Sequence, residues 1–128
     1  GNALAALGGN YEEIAGCYDK VIELDPENAL AWYNKGASLA ALGRHEDALT
    51  AYDRLIEIDP LNSEAWKVKG QELGALGRYG DAESCYARAT QISPLDAGAW
   101  YSRVNILVRQ FLEGRLNPVS QRLKSWEV

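Results

Sequence analysis

His45 is the only histidine in the chain, so any general-base role for an imidazole would have to begin there. No Ser-His-Asp or Cys-His arrangement can be argued around it. It stands 34 residues from both Tyr11 and Tyr79, in a place that reads as packing at a helix start. Cys17 and Cys85 form no CxxC pair and have no histidine nearby, so no zinc pattern exists. The piece LGGN at 7–10 is followed by no Lys-Ser/Thr and preceded by no strand, so it does not cradle a phosphate. The pairs Glu12-Glu13 and Glu46-Asp47 are expected in first helical turns, where the helix dipole favours negative charge. They do not read as a catalytic dyad. The expectation is therefore no catalysis, no cofactor and no bound metal.

Composition narrows the partners. The chain of 128 residues has a net charge of −5. Residues 1–96 hold 8 basic against 16 acidic side chains, and residues 97–128 hold 5 against 2. An acidic body argues against nucleic-acid binding, which needs basic surface to meet phosphates. No apolar run approaches the roughly 20 residues of a membrane span, and no signal peptide opens the chain. A cytoplasmic protein without nucleic-acid or membrane partners is expected. Met is absent even at residue 1, which reads as a fragment of a longer protein.

The elements that must position everything else repeat. ELDPENALAW ends at Trp32, EIDPLNSEAW at Trp66 and QISPLDAGAW at Trp100, each 34 residues from the next. Pro26, Pro60 and Pro94 share the interval, as do Tyr18, Tyr52 and Tyr86, Gly36 and Gly70, Gly43 and Gly77, and Ala48 and Ala82. A fixed period of this length signals stacked repeats. Each unit reads as two helices. Asn28, Asn62 and Asp96 cap the first, their side-chain oxygens accepting free backbone N–H groups. Trp32, Gly36, Leu39 and Leu42 share one face, and Gly43 ends the helix through a left-handed conformation. Ala48, Tyr52, Leu55 and Ile56 stripe the second helix, which Asp59-Pro60 stops. Asn10 with Glu13 looks like a capping box for the matching helix of the first unit. Gly36 and Ala48 allow close approach beside Trp32 and Tyr52. Such a hairpin cannot bury its face alone, so neighbours stack on it.

The pattern Trp32, Lys35-Gly36, Leu39, Ala48, Tyr52, Pro60, and again Trp66, Lys69-Gly70, Leu73, Ala82, Tyr86, Pro94, resembles the tetratricopeptide repeat. Lys replaces the family's Leu, Leu its first Tyr, and Tyr its Phe. The resemblance implies an all-α fold, an α-α superhelix or solenoid of antiparallel hairpins. The expected division is one array over 1–128: a truncated repeat at 1–28, repeats at 29–62 and 63–96, and a degenerate, capping repeat at 97–128. GNALAALG at the start matches GASLAALG at 36–43, with Gly9 as one extra turn residue. The exposed helix around 11–24 should fray or find a cover. In the last unit, Val104 takes the glycine position and Phe111 the turn-glycine position. A delayed turn is expected at Gly114-Arg115-Leu116, followed by a last helix opened by Asn117-Pro118. Val119, Leu123 and Trp126 form its stripe. Cys17 and Cys85 lie two units apart, too far for the roughly 7 Å a disulfide allows, and should be free, half-buried thiols.

In this family the first helix of each unit lines a concave face. By that resemblance the binding candidates are Asn2 and Ala5; Leu30, Tyr33, Asn34, Ala37 and Ala41; Glu64, Lys67, Val68, Gln71 and Ala75; and Gly98, Tyr101, Ser102, Asn105 and Arg109. Chaperone-binding members clamp a terminal carboxylate with two Asn followed by Lys and Arg. Asn2 and Asn34 match the Asn places, but Glu64 and Val68 stand where the cations are needed, and Glu repels a carboxylate. The expected function is a non-enzymatic scaffold holding a peptide or protein in its groove, without such a clamp. The alternative is self-association, a homo-oligomer formed through the array ends or through the Val119, Leu123 and Trp126 stripe.

Overall fold

The computed structural model describes the backbone of residues 2–126 and the side chains of residues 10–114. Six helices follow in order: α1 (Asn2–Leu24), α2 (Ala29–Ala41), α3 (His45–Ile58), α4 (Ser63–Ala75), α5 (Tyr79–Ile92) and α6 (Ala97–Trp126). No strand occurs among the described residues, and the fold is all-α.

Local chemistry sets the middle of the chain. Asn28 Oδ1 accepts from the Ala31 N–H at 3.0 Å, Asn62 Oδ1 from Glu64 and Ala65, and Asp96 Oδ1 from Ala99 at 3.3 Å. These bonds satisfy donors that the first helical turn leaves free. Gly43 and Gly77 sit at φ +77° and +78°, a region that side chains resist. Around them Arg44 N–H reaches Leu39 O and Arg78 N–H reaches Leu73 O, both at 2.9 Å. Gly43 and Gly77 N–H donate to Ala40 and Gly74. This paired closure ends α2 and α4 and turns the chain back on itself.

Two apolar clusters run across the units. Leu39, Ala48, Tyr52, Leu55, Ala65 and Val68 join α2, α3 and α4. Leu49, Leu73, Ala82, Cys85, Tyr86 and Ile106 join α3 through α6. Within each hairpin a tyrosine ring fills a glycine notch. A Cβ on Gly36 would lie 2.3 Å from the Tyr52 ring, and one on Gly70 would lie 2.8 Å from Tyr86.

Both ends depart from the expected hairpins. α1 runs unbroken through Gly8, Gly9 and Asn10, so no turn forms there. Asn10 caps nothing, and Glu12-Glu13 lie mid-helix. A lone short helix is marginal in water, and residues 2–8 gain more by extending their neighbour than by turning away from it. α6 likewise passes through Gly114 and Pro118 as one helix of 30 residues. Phe111 occupies the place where Gly77 turns, and a left-handed Phe costs about 1–2 kcal/mol. Val104 fills the notch that a returning tyrosine would need. The side chains of Val119, Leu123 and Trp126 lie outside the described residues.

Both cysteines are free, but neither is half-buried: Cys17 is exposed and Cys85 is in the core. Burial pushes the Cys85 thiol up to about 11, so at neutral pH it is both shielded and protonated. A native thiol titration should count one reactive sulfur, Cys17, and a denatured one should count both. Equal native reactivity of the two would contradict the packing of α5.

Candidate functional site

Equivalent positions on α2, α4 and α6 line two clefts. The first, about 270 Å³, lies between α2 and α4 and is bounded by Ala29, Leu30, Tyr33, Leu55, Asn62 and Glu64. Leu30 is exposed, while the Tyr33 ring leans on Tyr52 with centroids 6.3 Å apart. Burial, then the Glu64 charge, raises the Tyr33 hydroxyl above its ordinary range, so it stays a neutral donor and acceptor at physiological pH. The second cleft, about 360 Å³, gathers Gln71, Ala75, Tyr79, Ser102, Asn105 and Arg109 between α4, α5 and α6. The Arg109 guanidinium lies 5.9 Å from the Tyr79 ring centre, which steadies it without neutralising it. The polar groups here can donate to and accept from an extended backbone.

The other expected residues divide. Ala37, Ala41 and Gly98 are exposed, and Asn34 is half-buried. Tyr101 projects outward, outside both clefts. The side chains of Asn2 and Ala5 lie outside the described residues. Val68, expected on the groove face, is instead 7% exposed and belongs to the core. The face opposite Tyr52 has to be filled by a large side chain from the next unit, and Val68 supplies it.

Lys67 is also not a free cation. Its Nζ lies 3.0 Å from Asp96 Oδ2 and 3.3 Å from Glu64 Oε2. The hydrogen bond to Asp96 raises Lys67, and the same bond lowers Asp96. The signs fix the pH window. The depressed Asp96 contributes stability above its ordinary 3.8, lost as pH falls through the folded value. The raised Lys67 contributes below its ordinary 10.5, lost as pH rises through the folded value. The stability difference between wild type and Lys67→Met should therefore be flat near neutrality and shrink at both extremes. Urea midpoints across pH test this, and a gap unchanged down to the most acid point would refute the pair.

Three features were not anticipated. His45 Nδ1 meets Glu72 Oε2 at 2.5 Å, joining the start of α3 to a carboxylate buried on α4. The available signal was Glu72 itself, at the position of Ser38 and Ile106, since a buried acid requires a partner. Each replaced family Leu has a structural role. Lys35 lies 5.4 Å above Trp32 and 2.6 Å from Asp19, and Lys69 lies 5.9 Å above Trp66 and 2.7 Å from Asp53. Arg103 over Trp100 with Glu83 repeats the arrangement. Each cation thus ties its helix to the preceding unit. Finally, the indole N–H groups of Trp32, Trp66 and Trp100 each donate to the carbonyl of the proline six residues earlier: Pro26, Pro60 and Pro94. A cleft of about 560 Å³ beside Trp32, between α1, α2 and α3, exceeds its counterpart of about 370 Å³ beside Trp66, because Ala15 stands where Leu49 fills the next. Among the described residues no cluster of His, Cys, Asp and Glu is arranged to hold a metal ion. No described helix is long and apolar enough to cross a membrane.

A family model described as the tetratricopeptide repeat matches residues 1–63 and 68–116. No curated protein matches the chain by sequence. Among solved structures, the first TPR of Spaghetti (RPAP3) bound to the HSP90 peptide SRMEEVD is similar, with TM-score 0.75 and 22% identity over 80% of this chain and 81% of that one. The Arabidopsis OM64 TPR domain follows with TM-score 0.71 and 22% identity, covering 81% and 86%. The Yersinia enterocolitica type III secretion chaperone SycD, in complex with a peptide of the translocator YopD, has TM-score 0.73 and 17% identity, covering 86% and 96%. At such identities the likeness concerns the fold.

Proposed function

The chain belongs to the tetratricopeptide repeat family, and from that premise we propose that it is a non-enzymatic scaffold holding a peptide or protein partner along α2, α4 and α6. The observation that carries this reading is that each cleft is lined by equivalent positions on two successive first helices. Leu30 and Glu64, and then Gln71 and Asn105 with Ala75 and Arg109, are the same positions in successive units. One cleft offers apolar surface beside Tyr33; the other offers amide and guanidinium donors. A segment lying across both would bury an apolar side chain at one end and satisfy its backbone at the other. Similar folds, the first TPR of Spaghetti and SycD, have been solved with peptides bound.

The reading includes no clamp for a terminal carboxylate, and three described residues support that. Val68 is in the core, Glu64 is negative, and Lys67 is already shared by two carboxylates. The test is peptide-display selection on the intact chain, followed by fluorescence anisotropy of the selected peptide. Tyr33→Ala and Gln71→Ala/Arg109→Ala should each weaken binding about tenfold or more, while Ser84→Ala on the opposite surface should not. Selected peptides that bind all variants equally would overturn the groove. Tight capture of an acidic C-terminal tail, lost on Asn34→Ala, would overturn the absence of a clamp.

A further inference from the structure

The two ends of the array expose faces that the middle units bury. In the α2–α3 and α4–α5 hairpins, Ala48, Tyr52 and Leu55, and Ala82, Tyr86 and Ala89, are the residues a second helix turns toward its first helix, and all are buried. Their counterparts on α1 are Ile14, Tyr18 and Val21, with no first helix over them among the described residues. Ile14 and Val21 are exposed. Together with Asn10, Glu13 and Cys17, these three border an open cleft of about 540 Å³. At the other end, Leu39 and Leu73 are 6% and 5% exposed beneath their second helices, whereas the equivalent Leu107 on α6 is 44% exposed. Val104 and Val108 beside it are exposed too. Among the described residues, α1 is a second helix with no first helix over it, and α6 is a first helix with no second helix over it.

We propose that α6 of one copy covers the α1 face of the next, joining copies of this chain head to tail. This goes beyond the groove reading and uses other residues. Three observations point to a second copy as the occupant. The faces are complementary in repeat position, each supplying the helix that the other lacks. Both carry apolar residues at alternating spacings of three and four: Tyr11, Ile14, Tyr18 and Val21 on α1, and Trp100, Val104 and Leu107 on α6. That spacing forms a continuous seam between helices. The end segments that carry these faces are oppositely charged in sequence: residues 1–28 hold one basic and six acidic side chains, and residues 97–128 hold five basic and two acidic. Val104 replaces the glycine notch and Ile14 replaces the small alanine, so the joint closes as an ordinary aliphatic helix pair about 8–10 Å apart. Tyr18 then lies along the seam instead of being sunk into a notch. The contact is heterologous, so it propagates beyond a dimer unless the rotation closes a ring.

Sedimentation velocity on the intact chain, on Ile14→Glu/Val21→Glu and on Val104→Glu/Leu107→Glu separates the possibilities. The substituted positions are all exposed, and circular dichroism checks that each variant keeps its helices. The wild type should gain mass beyond a dimer with rising concentration and lose it with added salt. Each variant alone should be monomeric, because each lacks one half of the joint. Mixed, the two should form a heterodimer and stop there, since one intact α6 meets one intact α1. A monomeric wild type at all concentrations overturns the proposal. A self-pairing α1 variant would instead show that α6 pairs with α6. Two folded variants that remain monomeric when mixed would overturn it as well.

Discussion

Gly36→Ala is expected to lower stability by about 1–3 kcal/mol, the usual cost of overpacking a filled core. Helix propensity alone predicts the opposite sign, since alanine in place of a mid-helix glycine gains about 0.5–1 kcal/mol. Contact distance decides between the two. The new Cβ would lie 2.3 Å from Tyr52 Cε1 and 2.7 Å from Cδ1, far inside van der Waals contact. The ring has nowhere to go, because Leu39, Leu55 and Val68 pack around it. Urea denaturation gives the sign directly. Gly16→Ala is the matched control: nothing stands within 4 Å of its Cβ, so only the propensity gain should remain. In a Tyr52→Leu background the added methyl at position 36 should lose most of its cost, a coupling expected of residues in contact. A Gly36→Ala chain as stable as wild type would mean that the notch does not hold the ring.

Leu55→Ala should cost about 2–5 kcal/mol, the range for deleting a buried leucine and leaving part of a cavity. Leu55 is 1% exposed, the largest side chain so fully enclosed among the described residues. Its cluster takes residues from α2, α3 and α4, so the loss falls on a hairpin and on its junction with the next. Stability in a stacked array is held in such nearest-neighbour junctions, and a whole domain has only about 5–15 kcal/mol in hand. Urea midpoints should fall steeply for Leu55→Ala and barely move for Leu95→Ala, whose side chain is 98% exposed. Similar shifts for the two would refute the assignment of the core.

Part of the candidate site was legible before any coordinates. Gln71, Asn105 and Arg109 were expected to share a face, and they line one cleft. Tyr33 and Glu64 were expected on that face and line the other. The expectation failed where it depended on what lies opposite a residue. Val68 has the periodicity of a groove position, yet Tyr52 and Leu55 from the preceding helix enclose it. Lys67 was expected on the groove face, and nothing in its spacing showed that Asp96, 29 residues on, binds it. Spacing along one helix reports which residues share a side and is silent about what packs on that side.

The sequence by itself determined the period, the hairpin, the asparagine and aspartate caps and the glycine turns. Each of these rests on hydrogen bonds spanning at most a few residues and on backbone preferences of single residues, so nearby letters suffice. Only the tertiary structure decided the unbroken courses of α1 and α6, the burial of Val68, the His45–Glu72 contact and the lysine bridges to the preceding unit. Those outcomes depend on whether a neighbouring helix is present to cover a face or to offer a charge. Where the cover exists, as over Gly36, the chain turns and packs. Where Phe111 and Val104 take the places of the two glycines, turning costs more than continuing, and the helix runs on.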